Sequence, residues 1–332
     1  MKPRLIINMI YRVWVICLIL LTGVSAAGAA SAPPLYHQVA GGNAEVAVEK
    51  RVDLSRLALE KGMRWWVVAW QNHLKKPYKL SPGTALKINN THIVPAELKD
   101  GLVINLPELN LYYFKNGVYQ RRYALAVGKR SWPTPTGSYK ICEKRRNPTW
   151  NVPPSIQEEM EEMGQEVVEK VPPGPQNPLG KFWMGTTAAG VGIHATNRPW
   201  TVGYSTSHGC IRMLPDEIEK LFPQIAPGTP VKIIYQPIKM ALTPQGRVYL
   251  EANPNIYQWE LHAMEWVKDM AEYYQVQDRI DWHKVRQILK IRDGVAQDIT
   301  KDATPPSAPP SALNPPKEVQ LSPLHSKAAK LE

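Results

Sequence analysis

The 332-residue sequence predicts a mainly β body flanked by small helical additions, and three observations carry that reading. From Leu98 to about Tyr235 the chain is dense in alternating apolar segments, and Asn116-Gly117 between two of them signals a two-residue hairpin turn. Helical apolar spacing gathers before and after this stretch instead. A hydrophobic share of 44% over this length suffices for one medium domain plus small modules.

The chain opens with Lys2, Arg4 and Arg12, the apolar run "VWVICLILL", and then the small, polar "TGVSAAGAASAPP". This reads as a secretory signal peptide over residues 1–29, because the run is short for a bilayer span and small residues follow it. Cleavage removes Cys17 and leaves Cys142 and Cys210 in an exported chain, where exposed thiols oxidise. Two cysteines make no disulfide framework, although one Cys142–Cys210 bridge stays open. Cys142 lies in the alternating "GSYKICEKRR", which is expected to be a strand with a buried free thiol.

Residues 36–96 form a small α+β module. Asp53 caps "LSRLALEK", Gly62 ends it, "MRWWVVAWQN" is a second helix, and "LSPGTALKIN" gives a turn and a strand. With a first strand around "EVAVEKRV", this order resembles a degenerate LysM peptidoglycan-binding repeat; a plain structural spacer is the competing reading.

Residues 98–236 are the strand-rich body. "GVGIHAT" and "TPVKIIY" continue the strands, and "PDEIEKLF" is the one clear helix, with Pro215 near its start. "IQEEMEEMGQEVVEKVPPGPQNPLG" is acidic and then Pro/Gly-rich, an excursion between strands expected to lie over a cleft. In residues 237–300, "QGRVYLEANP" precedes two helical patterns, "IYQWELHAMEWVKDMAEYY" and "DWHKVRQILKIRDG", the latter bounded by Asp281 and Gly294. The aromatic residues there are expected to pack. Residues 301–332 are Pro-, Ser- and Ala-rich and are expected to be disordered.

The formal net charge is +11, three of those charges lying in the first 29 residues. An exported chain with no basic helix or aromatic RNA-binding motif excludes nucleic acid as a partner and favours cell-envelope polymers.

The chemistry concentrates in "STSHGCIRM", residues 205–213, and in "GIHATNRPW", where His194 precedes Cys210 by sixteen residues. The turn-rich segment between them lets a strand carrying His194 turn back and set Cys210 opposite it. A thiolate is the attacking species, and a neighbouring imidazole supplies it by taking the proton. Gly209 leaves the backbone N–H groups around Cys210 free to approach an oxyanion, worth about 3 kcal/mol per donor. Arg212 shares the face of Cys210 in an extended segment and suits a substrate carboxylate. Zinc ligation by His194, His208 and Cys210 lacks both paired spacing and a fourth ligand, so no metal is expected.

Five ordered motifs then carry a resemblance: "PTPTGSYKI", "NPTWNVPPSI", "PGPQNPLG", "GIHATNRPW" and "SHGCIRM". Together they are similar to the L,D-transpeptidases with a YkuD-type catalytic domain, in their periplasmic Gram-negative branch. The resemblance implies a β-sandwich or flattened barrel with a short helix, periplasmic localisation and no cofactor. It implies Cys210 as nucleophile and His194 as base, with Gly209 in the catalytic motif. Ser207, His208, Asn197 and Arg212 fall on substrate-binding positions. Ala195 stands where the family usually has glycine, which bears on local backbone geometry.

The implied reaction is a two-step acyl transfer. Cys210 attacks the L-centre carbonyl of the third residue of a tetrapeptide stem, releases D-alanine, and passes the acyl group to an amine. A second stem peptide gives a 3→3 cross-link, an outer-membrane lipoprotein gives an anchor, and water makes the enzyme a hydrolase. An envelope protein meeting the C-terminal helices is a further candidate partner, and a non-catalytic peptidoglycan-binding scaffold is the alternative class.

Overall fold

The computed structural model describes residues 34–49, 51–76 and 78–301. The expected signal peptide and, apart from Lys301, the Pro-rich tail lie outside the described residues.

Alternating apolar residues in the middle of the chain build a nine-stranded sheet. Its order is Ser205–Ser207, Val118–Gly128, Ile211–Met213, Gly192–His194, Phe182–Thr186, Gly137–Arg146, Pro230–Ile234, Gly101–Asn105 and Asn110–Lys115. The second and last strands of this order, Val118–Gly128 and Asn110–Lys115, also pair with each other through the Asn116-Gly117 hairpin, so the sheet closes into a barrel rather than an open sandwich. Both turn residues have positive φ, 55° and 74°. Leu102, Ile104, Leu125, Ile141, Met184, Ile193, Ile211, Met213 and Ile233 fill the interior. Each such side chain contributes about 1.5–3 kcal/mol on burial.

Before the barrel, strand Asn43–Ala47 pairs antiparallel with Ala85–Asn89, and helices α1 (Leu54–Glu60) and α2 (Trp65–Gln71) lie between them in sequence. Asp53 caps α1 by accepting from the Ser55 amide at 2.7 Å. Leu54, Leu57, Ala58, Val67, Val68, Leu86 and Ile88 form this module's own core.

Two expectations for the barrel region need correction. The acidic insert is not a bare excursion: Pro154–Glu162 forms helix α3, with Pro154 at its first position, and Lys170–Val171 pairs with Trp150–Asn151. "PDEIEKLF" (helix α4, Pro215–Leu221) is therefore not the only helix there. α3 buries none of its residues, which is why no apolar stripe announced it. Cys142 is exposed rather than buried. In strand Gly137–Arg146, Ile141 faces the core, and Cys142, at the bulge that follows it, turns outward with Ser138 and Lys140. Cys142 and Cys210 are both free thiols, so the open disulfide reading is not realised.

After the barrel, helices α5 (Ala263–Tyr273) and α6 (Trp282–Ile291) pack on a sheet of Ile238–Leu242, Val248–Ala252 and Gln297–Asp298. Asp281 caps α6 through the amides of His283 and Lys284. The helix ends at Arg292, itself left-handed at φ 52°, two residues before the expected Gly294. The apolar faces of both helices, Val267, Met270, Ala271, Val285, Ile288 and Leu289, are covered by this sheet and by each other.

The C-terminal extension is joined to both earlier parts. Tyr257 is buried in the barrel core, and Val295 in the core of the N-terminal module. Where the three parts meet, Lys239 is fully enclosed, with Nζ 2.7 Å from Glu108 and 3.1 Å from Glu251. A cavity of about 20 Å³ beside it is lined by Arg64, Arg122, Asn253 and Asp293 among others. Burial, then the Glu108 carboxylate, push Glu251 up, and Lys239 opposes them.

Candidate active site

The loop that holds Cys210 is fixed by its carbonyls. Ser207 Oγ donates to the Cys210 carbonyl, Thr134 Oγ1 donates to that of Gly209 at 2.8 Å, and the Lys129 amide donates to that of Ser207 at 2.8 Å. Thr134 is fixed in turn, since its amide donates to the Tyr257 hydroxyl at 3.1 Å. Gly209 has φ +99°, a backbone that an L side chain adopts only under strain.

His194 and Cys210 do not sit on a returning antiparallel pair. Strands Gly192–His194 and Ile211–Met213 run parallel, with Ile193 against Ile211 and His194 against Arg212. The intervening segment crosses over through the turn Pro199–Thr201 and the strand Ser205–Ser207. Parallel register still brings the three groups to one face. Ile193, Ala195, Ile211 and Met213 point into the core, so His194, Arg212 and Cys210, two residues before Arg212, point the other way.

The electrostatics differ from a preformed ion pair. Burial, then the Arg212 charge, pull the His194 imidazole down to about 4, while the carbonyls of Ala195 and Leu179 oppose this. His194 Nδ1 faces the Ala195 carbonyl, which only accepts, so Nδ1 carries the proton of the neutral ring. Burial pushes the Cys210 thiol up, against the Gly192 amide and Arg212. Burial therefore outweighs the neighbouring cation at this sulfur. Cys210 Sγ donates to the Gly190 carbonyl at 3.3 Å, which fits a resting neutral thiol.

The remaining candidate residues frame the cleft. Arg212 is half-buried and donates to Thr201 Oγ1 at 3.4 Å. His208 Nε2 lies 2.6 Å from Glu159 of α3, and Trp132 stands edge-on to its ring at 4.4 Å between centroids. Lys129 Nζ meets the other Glu159 oxygen at 2.9 Å. The insert therefore does reach the nucleophile loop, through a residue the sequence did not single out. Asn197 donates to the Gln176 carbonyl at 3.1 Å and so ties the "PGPQNPLG" loop to the histidine loop. The Ala195 methyl is accommodated because residue 180 opposite is glycine: a Cβ there would come within 2.7 Å of it. Trp183, also missed, lies 5.8 Å from the His194 ring, centroid to centroid, and is held by Glu143 at 2.8 Å. Among the described residues no cluster of His, Cys, Asp and Glu is arranged to hold a metal.

A profile of the YkuD L,D-transpeptidase catalytic domain matches residues 99–233. The Escherichia coli (strain K12) protein named "Probable L,D-transpeptidase YcfS" is 30% identical over 288 residues, covering 81% of this chain and 87% of that protein. The "Probable L,D-transpeptidase YbiS" of the same strain is 33% identical over 175 residues, 52% of this chain and 56% of that protein. Among solved structures, the NMR structure of the catalytic domain from the E. faecium L,D-transpeptidase aligns with 42% of this chain and 100% of that chain at 25% identity, with a TM-score of 0.33.

Proposed function

Since the chain belongs to the L,D-transpeptidase family and is a peptidoglycan L,D-transpeptidase, we propose that Cys210 is its nucleophile, His194 its base and Arg212 its anchor for a substrate carboxylate. The observation that carries this reading is the common face of the three side chains on adjacent parallel strands. With the thiol raised and the imidazole lowered, the pair rests neutral, and the thiol proton passes to His194 as the sulfur bonds to the substrate carbonyl. The oxyanion that forms is met by backbone N–H groups around Cys210, and the peptide plane that carries the Cys210 N–H is fixed by the bond from Thr134 to the Gly209 carbonyl. Collapse of the tetrahedral adduct breaks the bond to the terminal D-alanine, whose amine leaves with the proton held by His194. An amine acceptor then reverses these steps to release the enzyme.

The rest of the reading is coarser. The basic, apolar and small-residue order of the first 29 residues supports export to the periplasm. Ser207 and His208 order the nucleophile loop, and Asn197 holds its neighbour; their hydrogen bonds support positioning ahead of direct substrate contact. The strand-helix-helix-strand order of residues 36–96 supports a LysM-like glycan-binding module. A second stem peptide and an outer-membrane lipoprotein both remain acceptors compatible with the site. An envelope partner at α5 and α6 would meet their polar sides, since their apolar sides are covered.

Intact mass after incubation with a disaccharide-tetrapeptide tests the chemistry. The wild-type protein is expected to gain the substrate minus D-alanine, and Cys210→Ala to gain nothing while keeping its circular dichroism. An adduct on the alanine variant would move the nucleophile elsewhere.

A further inference from the structure

The crossover between His194 and Cys210 exposes two large aromatic rings, Trp200 at 69% and Tyr204 at 47%. Neither is loose. Val202 between them is buried with Ala124, Leu214 and, from α1, Leu59. The Tyr204 carbonyl accepts from the Val127 amide at 3.2 Å, and the Gly203 amide donates to Leu125 at 2.8 Å. Tyr204 Oη accepts a bond of 3.0 Å from Trp65 Nε1, at the start of α2, and the Trp65 ring packs on Tyr78 at 5.1 Å. A succession of aromatic residues thus leads from the active-site loop onto the N-terminal module. Its inner end is next to the chemistry, because Thr201, adjacent to Trp200, accepts from Arg212.

We infer that Trp200, Tyr204 and Trp65 form a stacking surface for the glycan strand to which the stem peptide is attached. The inference rests on the proposed reaction, which fixes where the sugar must be. The attacked carbonyl belongs to the third residue of the stem, and three residues span at most about 11 Å. The sugar bearing the stem is therefore held near Cys210, within reach of a surface that begins at Trp200, next to the Arg212 contact at Thr201. Pyranose rings present flat C–H faces edged by hydroxyls, and exposed Trp and Tyr offer an apolar face with a polar tip, the combination such rings pack against. The surface is ordered before any ligand arrives, since the Trp65–Tyr204 bond and the Val202 anchor hold it, which lowers the entropy cost of binding.

The test compares Trp200→Ala with wild type in two arms. In the first, kcat/KM for D-alanine release is measured on a disaccharide-tetrapeptide and on the free tetrapeptide, and the ratio of the two is read. The ratio is expected to fall about five- to tenfold in the variant, through KM for the disaccharide substrate. In the second arm, binding to purified glycan strands stripped of stem peptides is measured by sedimentation, independently of any turnover, with Trp65→Phe as a companion that keeps a ring but loses the N–H donor. Weaker binding by Trp200→Ala is expected. An unchanged ratio together with unchanged glycan binding overturns the inference and leaves the aromatic surface to a protein partner. If wild type binds stripped glycan through Trp200 but releases no D-alanine from either substrate, the proposed reaction fails and the glycan surface stands.

Discussion

Replacing Lys239 by methionine keeps an unbranched stem in the core and deletes its ammonium. Two carboxylates, Glu108 and Glu251, each with a side chain about 1% exposed, would then face each other without the cation between them. They cannot both stay ionised there, so one must hold a proton in the folded state. An ordinary glutamate titrates near 4.3 and each pH unit is worth about 1.4 kcal/mol, so keeping one protonated at pH 7 costs about 4 kcal/mol. That agrees with the ~3–5 kcal/mol typical of breaking a buried pair from one side. Glu251 already lies above its ordinary value through burial and Glu108, so it is the group expected to take the proton. A folded-state value raised above the unfolded one favours folding at low pH and loses that advantage as pH rises. The penalty should therefore be about 4 kcal/mol at pH 7 and shrink to about 1 kcal/mol at pH 5. Urea unfolding of wild type and variant at both pH values measures it. An equal loss at the two pH values would refute the reasoning, and a loss under about 1 kcal/mol at pH 7 would transfer the neutralising role to Arg64 and Arg122.

Two further outcomes follow from the site. Acylation should show a plateau from about pH 4 upward through neutrality and fall below it as His194 takes a proton, because neutral imidazole with neutral thiol is the reactive form; a rate rising tenfold per pH unit across neutrality would mean that a free thiolate attacks without help from His194. Tyr257→Phe should leave the buried Thr134 amide without its acceptor and cost about 1–3 kcal/mol in unfolding experiments, with slower acylation as Thr134 releases the Gly209 carbonyl; unchanged acylation would separate the C-terminal extension from the catalytic loop.

Features governed by local rules were legible in the sequence. The Asn116-Gly117 turn, the Asp53 and Asp281 caps and the Pro215 start depend on residues within a few positions of one another. The candidate set around Cys210 was legible for a related reason, since His194, Gly209 and Arg212 lie in two short segments. What escaped depends on the opposite face or on distant partners. Cys142 was assigned the wrong side of its strand although Ile141 beside it had already taken the core. α3 has no buried face to create a helical period, and which glutamate of "QEEMEE" meets His208 is decided by where the insert returns to the barrel. That burial outweighs Arg212 at the Cys210 thiol is not legible either, because nearby cationic side chains can be read from sequence and desolvation cannot. Likewise, no spacing links Tyr257 to Thr134 or Lys239 to Glu108, which meet only once the C-terminal extension docks.

The conformation of Gly209 has a stereochemical consequence. Nothing lies within 4 Å of the position a Cβ would occupy there, so the restriction on this residue is handedness rather than room. An L-alanine at 209 would strain the backbone that presents Cys210, whereas a D-alanine introduced by semisynthesis would sit in that same φ at ease. The chain thus keeps, one residue before its proposed nucleophile, a backbone shape native to D-residues.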